Sequence, residues 1–273
     1  MLYNHPRHEV VAKFREKYRH HPIEEVVFTA GDGTTLAGLW IPRKNPTATM
    51  VVCHGYRSGK EVLLGLADLF PSYELLFFDF RAHGDSDGSY ITFGYHEYRD
   101  VIAAVACARK KSGAVGHRLP LIILAFSMGG ASALKATSVQ PDLCDAMIID
   151  SSFADFASLM QTAFSRKVGL PSFPFVPVAK SMLNFFAGAD LDTVAPIDWV
   201  AKFAKPLLII HSCTDQLIPP QAAIVLYAHA QHGSSKLVIS PPCRHGWLHH
   251  LSPQWYQKKV TKFVAKISGQ HAS

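Results

Sequence analysis

Leu121-Ile122-Ile123-Leu124-Ala125-Phe126-Ser127-Met128-Gly129-Gly130-Ala131 sets an unbroken apolar run against one serine and a run of small residues. The first part has the length and continuity of a strand buried on both faces. The second opens a helical pattern. A strand that turns straight into a helix through a serine projects the hydroxyl from a strained backbone. Beside it lie helix N–H groups with no intrahelical partner. Those groups suit a developing oxyanion, and the N–H of Met128 is the first of them. Bulk two residues before or after the serine would clash with the turn, so Ala125 and Gly129 fit it. Glycine is common at both places, which makes Ala125 a departure. The same run also reads as a helix capped by its own serine side chain.

Outward from this turn, apolar runs rich in β-branched and aromatic residues recur at 49–53, 74–80, 121–126, 146–150, 207–211 and 236–240. Residues 24–30 and 35–41, separated by Gly31-Asp32-Gly33, read as an opening hairpin with an Asp-Gly turn. Helical spacing fills 60–70, 95–111, 128–139, 220–232 and 253–267. The alternation predicts an α/β chain: a mostly parallel eight-stranded sheet flanked by five or six helices. One interval breaks the rhythm. Residues 152–203 hold no strand pattern but carry Leu170-Pro171-Ser172-Phe173-Pro174-Phe175-Val176-Pro177 and an apolar stretch over 182–189. A long insertion between core strands reads as a lid over a site, or as a peripheral helical pair. We take 1–273 as one domain with 152–203 as its lid.

A serine hydroxyl needs a base to take its proton and an acid to orient that base. Asp215 follows the run 207–211 in a loop at the strand's C-terminal end, where catalytic groups gather in open α/β sheets. Asp150, ending the preceding strand, is the rival acid. His245 lies beyond the last strand in Cys243-Arg244-His245-Gly246-Trp247, completing the chain order serine, acid, histidine. His249 and His250 compete but fall toward the final helix. A second oxyanion donor is expected where the strand 49–53 runs into His54-Gly55-Tyr56. The backbone N–H of Tyr56 is the natural choice, with donation by its phenol or a place lining the acyl pocket as the alternatives, and His54 reads as a brace for that loop.

Together these pieces resemble the α/β-hydrolase superfamily over nearly the whole chain. The similarity is greatest to bacterial serine esterases and lipases related to dienelactone hydrolases and to the membrane-anchored ABHD-type proteins. The motifs that carry it are His54-Gly55, Asp79-Phe80-Arg81-Ala82-His83-Gly84-Asp85-Ser86-Asp87-Gly88, the turn at Ser127, Asp215 and His245. In that family the segment at 79–88 is structural, so Asp79, Arg81, His83 and Ser86 receive no catalytic role. Ala125 and Ser212, the latter standing where His-Gly is common, depart from the pattern. The resemblance implies attack by Ser127 on an ester or related acyl carbonyl, with His245 as general base and Asp215 orienting it. Met128 and Tyr56 would hold the oxyanion, and neither a metal nor an organic cofactor is required. Thioesterase, acyltransferase and peptidase chemistry use the same triad, and a non-catalytic binding protein can keep the fold.

The chain is 48% hydrophobic and 18% charged, which excludes a disordered or collagen-like chain. A net charge of +6 raises nucleic acid as a partner. The basic residues look scattered, however, and the tightest runs, Arg109-Lys110-Lys111 and Lys258-Lys259, fall on helical patterns. We therefore expect no nucleic-acid partner, and at most weak association with an anionic membrane surface. The five cysteines form no CxxC pair, so neither a metal site nor a disulfide framework is indicated. Reduced thiols point to the cytoplasm. The polar, histidine-rich start carries no signal-peptide core. A membrane setting would require an anchor upstream of it. The apolar residues of the insertion (Phe153, Phe156, Met160, Phe164, Phe173, Phe175, Phe185, Phe186) point to an uncharged, small-molecule acyl substrate.

Overall fold

The computed structural model describes residues 8–112, 119–164 and 172–271; Leu170 and Pro171 of the insertion lie outside them. Eight strands form one sheet: β1 (Glu24–Thr29), β2 (Thr35–Ile41), β3 (Ala48–Cys53), β4 (Tyr73–Phe78), β5 (Leu121–Phe126), β6 (Ala146–Asp150), β7 (Leu207–Ser212) and β8 (Lys236–Ser240). Their order across the sheet is β1-β2-β4-β3-β5-β6-β7-β8. β2 pairs antiparallel with β1 and β4, and every other pairing is parallel. This is the α/β-hydrolase fold. β3, β4, β5, β6 and β7 are buried at every position, which is why they read as continuous apolar runs.

The sheet's pleat divides the core in two. Val51, Cys53, Ile123, Ala125, Met147 and Ile149 face one cluster, covered by α3 (Tyr98–Ser112) and α4 (Met128–Val139). Met50, Val52, Ile122, Leu124, Phe126 and Ile148 face the other, covered by α1 (His8–Lys17), α2 (Leu66–Leu69) and α10 (Pro253–His271). Alternate residues of one strand thus serve opposite layers.

Two elements differ from expectation near the site. The helix expected over 60–70 is a 3₁₀ turn at Glu61–Leu63 followed by the single turn of α2. Gly65 stands between the two, and a Cβ there would come within 2.8 Å of the Tyr18 hydroxyl. β4 ends at Phe78 rather than Phe80, since the Phe80 N–H leaves the ladder to bond His54 Nε2 at 3.0 Å. α1 was not anticipated. It is tied down by Arg15, which donates to Glu25 and Glu61.

Between β6 and β7 the helical insertion comprises α5 (Phe156–Ala163), α6 (Ser172–Ala187), a 3₁₀ turn at Leu191–Thr193 and α7 (Pro196–Val200). α7 packs on α4 and on α8 (Gln221–His229), with Trp199 and Val200 buried. α6 instead presents Phe173, Phe175, Val178, Met182, Phe185 and Phe186 to solvent.

Candidate active site

The turn from β5 into α4 holds Ser127 at φ 51°, ψ −114°, a left-handed conformation that is strained for a residue with a Cβ. Its side chain makes no capping bond to α4. That removes the helix-cap reading, which requires an extended backbone and an Oγ accepting from the first turn. The strain is held by neighbours: the Ser127 N–H donates to Asp150 O at 2.9 Å, and its carbonyl accepts from Gly130 N–H at 2.9 Å and from Ser152 Oγ at 3.1 Å.

Small residues are obligatory on the helix side of the turn. A Cβ on Gly129 would lie 2.6 Å from Cys53 O and 2.7 Å from His54 O. A Cβ on Gly130 would meet Ser152 Oγ at 2.8 Å. On the strand side Ala125 is fully buried among α3 and α4, so its methyl group is accommodated.

The loop after β3 comes up against the serine. A Cβ on Gly55 would stand 3.3 Å from Ser127 Cβ and 4.0 Å from its Oγ, so the Gly55–Tyr56 backbone adjoins the hydroxyl. His54 is fully buried, donates Nδ1–H to Gly55 O at 2.7 Å and accepts the Phe80 N–H at Nε2. Burial, then the neighbouring His83, pushes its pKa down to about 3, so it stays neutral and serves as a brace. The 79–88 segment behind it is fully engaged. Arg81 forks to Asp100 at 2.6 Å and Asp32 at 2.8 Å, Lys60 pairs with Asp79 and Asp85, and Ser86 Oγ donates to Asp79 O at 2.6 Å.

Asp215 follows β7 with its side chain wholly buried. Oδ1 accepts the N–H groups of Leu217 and Ile218 at 2.9 and 3.0 Å, while Oδ2 faces His245 Nδ1 at 2.6 Å. Burial alone would raise the Asp215 pKa. The hydrogen bond and charge of His245 and the Ile218 N–H outweigh it, and the carboxyl sits below its ordinary range. His211 stands 3.6 Å from Oδ2 but commits its Nε2–H to Ile218 O at 2.9 Å.

Asp150, the rival acid, occupies a different place. Its Oδ1 accepts from Ser151 Oγ at 2.8 Å, and that hydroxyl in turn accepts the Gly246 N–H at 3.3 Å. Oδ2 has no hydrogen-bond partner, and the buried Tyr256 hydroxyl nearby makes no bond of good geometry to it. Burial raises Asp150 to about 6. The strand end 150–152 therefore grips the Ser127 turn on one side and the His245 loop on the other. Sequence reading missed Ser151 and Ser152; two hydroxyls directly after a strand-ending aspartate were the available signal. His249 is buried between Phe126 and Tyr256, both ring nitrogens are unpartnered, and burial drives its pKa to about 3.

A family model described as serine aminopeptidase, S33, matches residues 44–188, a segment that contains the β3 loop, the Ser127 turn and most of the insertion. The chain belongs to this family. It is a serine hydrolase acting on an acyl bond. The uncharacterized protein YqkD of Bacillus subtilis is 27% identical over 89% of this chain and 79% of its own. The uncharacterized protein YfhR of Escherichia coli K12 is 28% identical over 81% and 73%. Among solved structures, the Pyrococcus furiosus esterase Pf2001 superposes with a TM-score of 0.75 at 22% identity, covering 92% of this chain and 93% of its own. The ferulic-acid complex of Est1E from Butyrivibrio proteoclasticus gives 0.68 at 21%, covering 88% and 98%. At those identities the likeness is one of fold.

Proposed function

We propose that Ser127, His245 and Asp215 form the triad of a carboxylesterase-like hydrolase, with the N–H groups of Met128 and Tyr56 holding the oxyanion. The observation that carries this reading is a serine at φ 51° whose hydroxyl caps nothing. A carboxylate only accepts, so Asp215 keeps the His245 proton on Nδ1 and leaves Nε2 to take the Ser127 proton. Attack on the carbonyl carbon places negative charge on its oxygen, at the start of α4 and against the Gly55–Tyr56 backbone. His245 then returns its proton to the leaving alcohol, and water repeats the sequence on the acyl-enzyme. Labelling by a fluorophosphonate probe, retained by the native chain and abolished in Ser127→Ala, tests it; a labelled Ser127→Ala variant would overturn it.

An ester is supported over a peptide N-terminus. An aminopeptidase needs a carboxylate for the substrate's ammonium group, and neither acid beside the triad offers one: Asp215 is engaged by His245 and Asp150 is sealed from solvent. The Pyrococcus furiosus esterase among the fold's neighbours points the same way. An uncharged acyl group is supported by the aromatic file Tyr56–Phe93–Phe156, with centroids 5.1 and 5.3 Å apart, leading from the oxyanion loop to α5. The solvent-facing phenylalanines of α6 support its role as a lid and a transient contact with lipid surfaces. Five free cysteines support a reducing, cytoplasmic setting.

A further inference from the structure

After Asp215 the sequence contains no aspartate or glutamate, yet it holds Lys236, Arg244, Lys258, Lys259, Lys262 and Lys266. These six residues equal the whole net charge of +6, so the first 215 residues balance to zero. The basic residues looked scattered along the chain; the fold gathers four of them. Lys236 on the edge strand β8 and Lys259, Lys262 and Lys266 on one stripe of α10 rim a groove of about 650 Å³. Its floor is apolar: Pro206, Leu208, Val238, Phe263 and Ile267.

Lys60, Lys111, Lys180 and Lys205 each have a carboxylate partner. Among the described residues the four groove lysines have none. Lys259 lies over the Trp255 ring, with its ammonium 5.2 Å from the centroid. The charges of Lys266 and Lys262 push Lys236 below its ordinary pKa, which is unrelieved repulsion between like charges.

We propose that this groove binds a small anion carrying a phosphate or pyrophosphate group on an apolar body. The rim supplies several point charges, which match a multiply charged phosphate better than a single carboxylate. The floor supplies a surface for a hydrocarbon or ring. The volume falls in the range of small-molecule sites rather than of an extended polymer track. The site is separate from Ser127: Leu208 and Lys236 lie at the start of β7 and β8, whereas Asp215 and His245 follow their ends. The lining contains no histidine, cysteine or carboxylate, so the proposal is one of binding alone.

Octyl phosphate, inorganic phosphate and octyl glucoside, titrated calorimetrically into the full chain, test this. Octyl phosphate should saturate one site, at least about tenfold more tightly than inorganic phosphate because the chain adds apolar burial, and should weaken with added salt. Octyl glucoside should not compete. The combined variant K236Q/K262Q/K266Q should lose at least about tenfold in affinity, while K236R/K262R/K266R should retain binding, both with unchanged ester hydrolysis. Equal affinity for inorganic and octyl phosphate would overturn the proposal, as would undiminished binding by the glutamine variant. Binding to phosphatidate vesicles without binding of soluble octyl phosphate would assign the patch to a membrane surface and also overturn it.

Discussion

His245 Nδ1 lies 2.6 Å from Asp215 Oδ2, and the other oxygen of that carboxylate is fixed by two backbone N–H groups. The imidazole therefore has one orientation and one tautomer. Asp215→Asn offers an amide that can stabilise the opposite tautomer. We expect kcat to fall by roughly 10³–10⁴ with KM little changed. Steady-state kinetics on a p-nitrophenyl ester measures this, and a loss under tenfold would argue that Asp215 does not orient the base.

Gly129 and Ala125 flank the turn but tolerate change differently. In Gly129→Ala the new methyl group meets backbone carbonyls of Cys53 and His54, which cannot rotate away. Urea unfolding should show a loss of about 1–3 kcal/mol, and hydrolysis should fall because the Gly55–Tyr56 backbone is displaced. Ala125→Gly should keep activity and cost about 1 kcal/mol through backbone entropy and a lost buried methyl group.

Asp150 makes stability depend on pH in a defined direction. Its folded pKa of about 6 lies above the unfolded carboxyl value of about 3.9. The folded chain thus holds the extra proton between these values, and stability falls as pH rises through that window. Asp150→Asn should match the native chain at pH 4 and exceed it at pH 8, by on the order of 2 kcal/mol. Thermal melts at the two pH values decide it; an equal shift at both would identify a packing effect.

Phe173 and Phe185 are the most solvent-exposed aromatics of α6, at 78% and 81%. Replacing both by serine should leave Tm within about 2 °C, because little buried surface is lost. If α6 is the lid over the acyl chain, the ratio of long-chain to short-chain ester hydrolysis should fall several-fold. An unchanged chain-length profile would make α6 a peripheral helix.

The strands were legible because buried parallel strands leave unbroken apolar runs, and all eight lie within a residue or two of their expected bounds. Ser127, Asp215 and His245 each follow such a run, and the fold brings Asp215 against His245. What was not legible depends on contacts distant in sequence. Lys60, at the head of the 3₁₀ turn, has its ammonium buried against Asp79, nineteen positions away. Ser151 reaches Gly246 across 95 positions, with no local pattern to announce it. The groove lysines lie on a strand and a helix more than twenty residues apart, so their convergence emerges only from the packing of α10 beside β8.

The grip of residues 150–152 has a practical consequence for anyone recombining this scaffold. The insertion departs from the same three residues that clamp the Ser127 turn and the His245 loop. A chimera spliced at the end of β6 would exchange Ser151 and Ser152 with the foreign segment and unfasten the Ser127 turn. The transplantable boundary lies beyond Phe153, which is itself buried in the core. Its return boundary should precede Pro196, so that α7 stays with the recipient and keeps its seat between α4 and α8.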